Sequence, residues 1–139
     1  MANQETPERK VSAHHGANGQ ASILSISYDA PLLHTREWIL KGEGFRVTSA
    51  CGFTEGQDHA CRGGFDLAVM GHSIPHRDKI ALITAFKTNC NAPVLSLVRH
   101  GDEPLPQAEY SVLALNGPEA FVKAVRTALN GKRLIAGDD

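Results

Sequence analysis

The sequence predicts an α/β domain built on an open parallel sheet, and two observations carry that prediction. Short, partly β-branched apolar runs of strand length alternate with stretches whose apolar residues recur at close to helical spacing, from Ser22 through to Gly131. One of these runs, Phe65-Asp66-Leu67-Ala68-Val69-Met70, is almost continuously apolar, as a central strand covered by helices on both faces requires.

Each element has its own signal. Residues 1–20 have no apolar period and collect Pro7, Gly16 and Gly19 among polar side chains, so a disordered N-terminal tail is expected there; His14 and His15 within it receive no role. Ile23 to Tyr28 is the first strand. Asp29 and Pro31 start a helix, the carboxylate capping free N–H groups and the proline fitting the first turn. Leu32, Leu33, Trp38, Ile39 and Leu40 give it an apolar side, with Trp38 expected to be at least partly buried, and Gly42 and Gly44 stop it. Phe45 to Ala50 is a second strand, and Thr54 to Arg62 a weak helix burdened by Gly56 and ended by Gly63 and Gly64. After the third strand, Phe65 to Met70, a loop from Gly71 to His76 leads to a helix over Arg77 to Asn89. Pro93 to Val98 and Tyr110 to Leu115 are the fourth and fifth strands. Asn116 and Glu119 form a capping-box pattern ahead of a last helix striped by Phe121, Val122, Val125 and Leu129. Gly131 is expected to close that helix and residues 132–139 to form a short C-terminal tail, so the domain is placed at 21–131, with no DNA-binding output region after it.

Composition narrows the function classes. With 14 Lys and Arg against 15 Asp and Glu in 139 residues, the net charge is −1, and the basic side chains are scattered without an aromatic platform. Direct nucleic-acid binding is therefore not expected, because it leans on clustered cations that release counterions. No apolar stretch approaches the roughly 20 residues that span a bilayer, and Met1 to Lys10 lacks a secretory signal, so no membrane association and a cytoplasmic location are expected. Cys51, Cys61 and Cys90 are too widely spaced for a disulfide framework or zinc finger and are taken as reduced thiols, Cys61 and Cys90 buried and Cys51 exposed.

In an open parallel sheet, ligands lie beyond the carboxyl ends of the strands, near the point where strand order reverses. The residues there sit in three segments: Ile23-Leu24-Ser25-Ile26-Ser27-Tyr28-Asp29, Phe65 to Met70 followed by Gly71-His72-Ser73-Ile74-Pro75, and Ala92-Pro93-Val94-Leu95-Ser96-Leu97. Together these resemble the frame of a bacterial two-component response-regulator receiver domain, over about residues 22–130. The resemblance implies a flavodoxin-like, five-stranded parallel sheet in the order 2-1-3-4-5 with helices on both faces. Only Arg99 to Glu109, with Gly101, Pro104 and Pro106 among them, separate strands four and five, so the helix a receiver places there, its fourth, is expected to be short or absent.

A working receiver needs a phosphoacceptor aspartate after strand three, an acidic pair after strand one to hold Mg²⁺, a Ser or Thr after strand four and a Lys after strand five. Phosphoryl transfer is mostly positioning and charge neutralisation, and these groups supply both. Here Gly71 stands at the phosphoacceptor position, Ser27 and Tyr28 at the acidic pair with Asp29 next to them, and Val98 at the hydroxyl position, with Ser96 two residues earlier. Leu113 or Ala114 stands at the lysine. His72 flanks the degenerate pocket. With Asp29 as the last carboxylate, Gly71→Asp is expected to crowd two like charges and destabilise the fold, and Gly71 itself is a candidate for a φ > 0 backbone role.

The resemblance therefore implies a stand-alone, degenerate receiver, a pseudo-receiver, without catalytic residues, cofactor or bound metal. It would act as a phosphorylation-independent module that docks on a protein partner in a signalling pathway, with a homodimer allowed. The alternative is a small-ligand or metal sensor using the vacated pocket, with His72, His76 and Ser27 as first candidates and His100 at the same rim. An unrelated flavodoxin-like enzyme is disfavoured by the lack of a paired nucleophile and base or a glycine-rich phosphate loop.

Overall fold

A computed structural model describes residues 20–103 and 105–138, with side chains described as far as Gly131, so the expected disordered tail lies outside the described residues up to residue 19. Strands β1 (Ser22–Ser27), β2 (Arg46–Cys51), β3 (Leu67–Met70), β4 (Val94–Val98) and β5 (Tyr110–Leu113) alternate with helices α1 (Ala30–Gly42), α2 (Phe53–Arg62) and α3 (His76–Asn89). A 3₁₀ turn at Ala114–Asn116 leads into the last helix, α4 (Gly117–Asp138). All strand pairs are parallel and the sheet order is β2-β1-β3-β4-β5, as the resemblance implies. No helix among the described residues is long and apolar enough to cross a membrane.

Alternation along the strands divides the core in two. Leu24, Ile26, Ala68, Met70 and Val94 face α2 and α3, packing with Ala60, Leu82, Ile83 and Phe86. Ile23, Leu67, Val69, Leu95 and Leu97 face α1 and α4, packing with Leu40, Phe121, Val125 and Ala128. Gly56, which weakens α2 as a free helix, earns its place by close packing: a Cβ there would come within 3.1 Å of Ile26 and 3.2 Å of Leu82.

The segment between β4 and β5 contains turns and no helix among its described residues. Leu105 and Ala108 from this loop pack against the core on the α3 side and close part of the surface that a helix would have covered. Glu109 anchors the loop's far end by accepting from the Val94 amide at 2.9 Å and pairing with Lys87 of α3, which also donates to the Ala92 carbonyl at 2.9 Å. At its start, the Asp102 carboxylate accepts from the Arg99 amide at 2.7 Å.

Three expectations are corrected. Trp38 is 78% exposed, because the buried stripe of α1 runs through Leu33, Arg36 and Leu40 and turns position 38 outward. Cys61 is exposed, at the outer side of the last turn of α2, whereas Cys90 is buried and Cys51 exposed as expected. The last helix does not stop at Gly131 but continues to Asp138, so the segment expected as a tail is helical. Gly131 serves close approach there, since a Cβ would collide with the Tyr110 hydroxyl on β5.

If Leu105 stands in for a missing helix, Leu105→Ala should lower the urea unfolding free energy by about 1–2 kcal/mol, less than a fully buried leucine but more than an ordinary loop position. A change within experimental error would mean that the loop lies on the core without supporting it.

Candidate functional site

The carboxyl ends of β1, β3 and β4 bring together the β1–α1 loop, the β3–α3 loop and the start of the β4–β5 loop. Strand order reverses between β1 and β3, so this is the crevice where a sheet of this kind places its chemistry.

Two serines knit the first two loops together. Ser27 Oγ accepts from the Asp29 amide at 3.0 Å and lies 3.2 Å from Ser73 Oγ, and Ser73 Oγ in turn accepts from the Tyr28 amide at 3.0 Å. Asp29 caps α1 by accepting from the Leu32 amide at 3.1 Å, as its sequence position predicts. Tyr28 does not plug the crevice: its hydroxyl donates to Asp78 in the first turn of α3 at 2.9 Å. Burial and the Asp78 carboxylate together push the Tyr28 hydroxyl up to about 12.

Gly71 follows β3, and its amide donates to the Ile26 carbonyl at 2.9 Å. Its φ is not positive, so the backbone role considered for this glycine is absent. The space around it is tight, for a Cβ at position 71 would lie 2.9 Å from Nη1 of Arg36 and 3.2 Å from the Ile26 carbonyl oxygen and Ser27 Cβ. The guanidinium of Arg36, reaching up from the buried side of α1, therefore occupies the ground beside the phosphoacceptor position. Arg36 is only 8% exposed, and among the described residues no carboxylate approaches it closely enough to form an ion pair. Burial lowers its affinity for the proton, and the more distant Asp29 works in the opposite direction.

A second buried cation enters from α3. Lys79, 6% exposed, donates from Nζ to Ser96 Oγ at 2.8 Å and to the Leu97 carbonyl at 3.0 Å, both on β4. Its partners are neutral, and burial pushes the ammonium down to about 8 despite the attraction of Asp102. Val98, at the expected hydroxyl position, is half-buried, and the hydroxyl actually in use is that of Ser96. At the end of β5, Ala114 lies in the 3₁₀ turn, where it offers no charge, so the cation comes from a helix instead.

His72 completes the crevice. Its Nδ1 is buried without a hydrogen-bond partner, and burial together with Arg36, Arg99 and Lys79 lowers its proton affinity. Arg99 lies at the rim, 3.8 Å from Asp102. His76 and His100 are both exposed, and the nearest carboxylate to His76 is Glu103 at 3.8 Å. Among the described residues no three His, Cys, Asp or Glu side chains form a group that could hold a metal ion. The site thus holds two buried cations, Arg36 and Lys79, where a working receiver needs an acidic pair and a phosphoacceptor aspartate. A carboxylate placed at position 71 would lie beside the Arg36 guanidinium as well as near Asp29.

Neither cation figured among the sequence candidates, yet each left a signal. Lys79 shares helical spacing with the buried Leu82, Ile83 and Phe86, and Arg36 with Leu33 and Leu40. A charged residue on the apolar stripe of a helix marks a buried charge.

No family model and no curated protein sequence matches the chain. Solved structures do. A CheY-like response-regulator receiver domain from Methanospirillum hungatei JF-1 superposes with a TM-score of 0.70 at 20% identity, covering 82% of this chain and 97% of that one. A receiver domain from Clostridium thermocellum gives 0.71 at 21% identity, covering 83% and 98%. The N-terminal domain of a response regulator/sensory box/GGDEF protein from Carboxydothermus hydrogenoformans gives 0.71 at 19% identity, with the same coverage. The chain has the receiver fold.

Within that fold, Lys79 offers a titration that checks the burial of the site. The folded protein holds the Lys79 proton only up to about pH 8, while an unfolded lysine holds it to about 10.4. Between these values the unfolded state binds more protons, so stability should rise with pH from about 8 to about 9.5. Above about 10, the raised Tyr28 hydroxyl acts in the opposite sense, because the unfolded tyrosine ionises first. Urea unfolding at intervals across the lower window should show the rise, and Lys79→Met should flatten it. A slope that is zero or negative in the parent protein would mean that Lys79 is solvated.

Proposed function

We propose that this chain is a degenerate receiver that works in signal transduction as a phosphorylation-independent protein-interaction module and not as an enzyme. The observation that supports this reading is the pairing of Gly71 with Arg36. Position 71 has no oxygen to accept a phosphoryl group, and a guanidinium stands against it where an acceptor side chain would need room. A divalent cation, which needs oxygen ligands, would meet Arg36 and Lys79 there instead of an acidic pair. What selection retains in such a molecule is the receiver frame and its outer surface. Trp38 belongs to that surface: it is the chain's single tryptophan, and it projects from α1 beside a shallow groove bounded by Ile39, Lys41 and Glu43. Tryptophan is over-represented among residues that carry binding energy at interfaces.

Incubation with acetyl phosphate and Mg²⁺, followed by intact-mass measurement, should yield no covalent phosphoryl adduct, and Mg²⁺ alone should produce no saturable backbone shifts at Gly71 or Ser27. An adduct would reveal a substitute acceptor and would end the phosphorylation-independent reading.

Trp38→Ala should leave the unfolding free energy within about 0.5 kcal/mol of the parent, as a surface residue does. The parent's tryptophan fluorescence should be fully quenched by iodide. A larger stability loss, or a protected fluorophore, would return Trp38 to the core and remove it from the interaction surface.

A further inference from the structure

The carboxyl end of the sheet holds two buried cations, Arg36 and Lys79, that form no ion pair among the described residues, and the nearby Asp78 is engaged by the Tyr28 hydroxyl. Arg36 and Arg99 act on Lys79, and all three act on His72, while Asp29 attracts Arg36 and Asp102 attracts Lys79. Both carboxylates are already engaged, Asp29 as the cap of α1 and Asp102 with the amide and side chain of Arg99. Arg36 makes no hydrogen bond or ion pair within the described residues although it is 92% hidden from solvent, its exposure being 8%. Lys79 spends two of its three N–H donors on Ser96 and Leu97, leaving one. His72 Nδ1 is buried and unpartnered. Buried charges are costly unless paired, and a guanidinium fork matches the oxygens of a carboxylate or phosphate. Spare N–H donors from two separate helices, Arg36 on α1 and Lys79 on α3, therefore lack a protein acceptor among the described residues, and the unpartnered His72 Nδ1 lies in the same crevice.

We propose that this crevice is a receptor for one small oxyanion, a phosphoryl or carboxylate group, held by Arg36 and Lys79 with Arg99 at the rim and without a metal ion. The inference rests on the reading of position 71 as a lost phosphoacceptor, and it gives the vacated pocket a ligand of opposite charge to the Mg²⁺ that an active receiver binds. No bond is made or broken: the oxyanion supplies acceptor oxygens to the spare donors of Arg36 and Lys79. An oxyanion bound there also stabilises the charged form of Lys79.

The test is a titration of the full chain with inorganic phosphate in Mg²⁺-free buffer, with chloride holding ionic strength constant, followed by backbone NMR. Saturable shifts centred on Gly71, His72 and Lys79 are expected. Acetate in a parallel arm separates the two sources: stronger saturation by phosphate assigns a phosphoryl ligand, and stronger saturation by acetate a carboxylate. Lys79→Met, which keeps the stem's volume, should weaken binding at least about tenfold, the loss of one charge-assisted hydrogen bond. Gly71→Asp provides an internal carboxylate beside Arg36 and should abolish the titration while remaining more stable in urea than Gly71→Ala, which adds the same Cβ without the charge. Shifts that never saturate, that chloride reproduces, or that survive Lys79→Met unchanged would overturn the proposal. Such a failure is separable from failure of the functional reading, which shows as a covalent mass adduct from acetyl phosphate whatever the outcome with inorganic phosphate.

Discussion

The approach of Arg36 to Gly71 constrains the functional end of this molecule more than any other contact. Glycine at the end of β3 leaves room that the Arg36 guanidinium takes up, and a Cβ there would press on the guanidinium, the Ile26 carbonyl and Ser27 Cβ. Arg36 can reach that point because α1 begins directly after β1, with Asp29 fixing its first turn and Leu33 and Leu40 holding the same face against the sheet. The neighbouring substitutions are consistent with that placement. A pair of acidic residues at Ser27 and Tyr28 would neutralise the guanidinium, whereas the serine hydroxyls knit the two loops with neutral hydrogen bonds and leave the charge unspent.

The carboxyl end of this sheet has charged groups of its own. An active receiver concentrates carboxylates at this point and relies on a metal to offset their repulsion. Here two buried cations come in from helices α1 and α3, and among the described residues no group of three His, Cys, Asp or Glu side chains could hold a metal ion. Lys79 illustrates how this is built without rearranging the fold. The strand-five position that supplies a lysine in receivers carries Ala114 in a 3₁₀ turn, yet an ammonium still arrives at the end of β4, from the opposite face. The short β4–β5 loop fits the same economy, since Leu105 and Ala108 seal the core beside α3 with two side chains in place of a helix.

Much of the fold was legible in the sequence. The strand-length runs from Ile23, Phe65 and Pro93 lie in the core of the sheet, so their burial overrides local ambiguity, and the proline pair after Gly101 argued correctly against a helix. The candidate site was legible in position but not in chemistry. Gly71, Ser27, Asp29, His72 and Val98 all lie at the carboxyl ends of β1, β3 and β4, and Ala114 follows β5, as the crevice rule requires. The substance of the site, Arg36 and Lys79, was hidden because a charged residue in a helix is ordinarily read as solvent-facing. Phase was the missing information: Leu33, Leu40 and the partly buried Ile39 were placed correctly on the apolar side of α1, but including Trp38 there concealed that 33, 36 and 40 form its inner line. Gly131 misled for a different reason, because a glycine late in a helix pattern signals a stop, and only the opposing Tyr110 shows that it serves packing.

Helix α1 also ties the two ends of the functional argument together. Arg36 on its inner line and Trp38 on its outer side are two residues apart, about 200° around the helix, so one points into the crevice and the other to solvent. The helix is pinned at its start by Asp29 and near its end by the Arg126 contact to Glu43 at 2.7 Å, with Arg126 also lying 5.0 Å from the Phe45 ring centroid. Both the Glu43 contact and the guanidinium of Arg126 are exposed, so this attachment to α4 contributes little stability by itself. The attachment at the sheet end is the stiffer one, because Arg36 is wedged against backbone and Leu33 and Leu40 are buried.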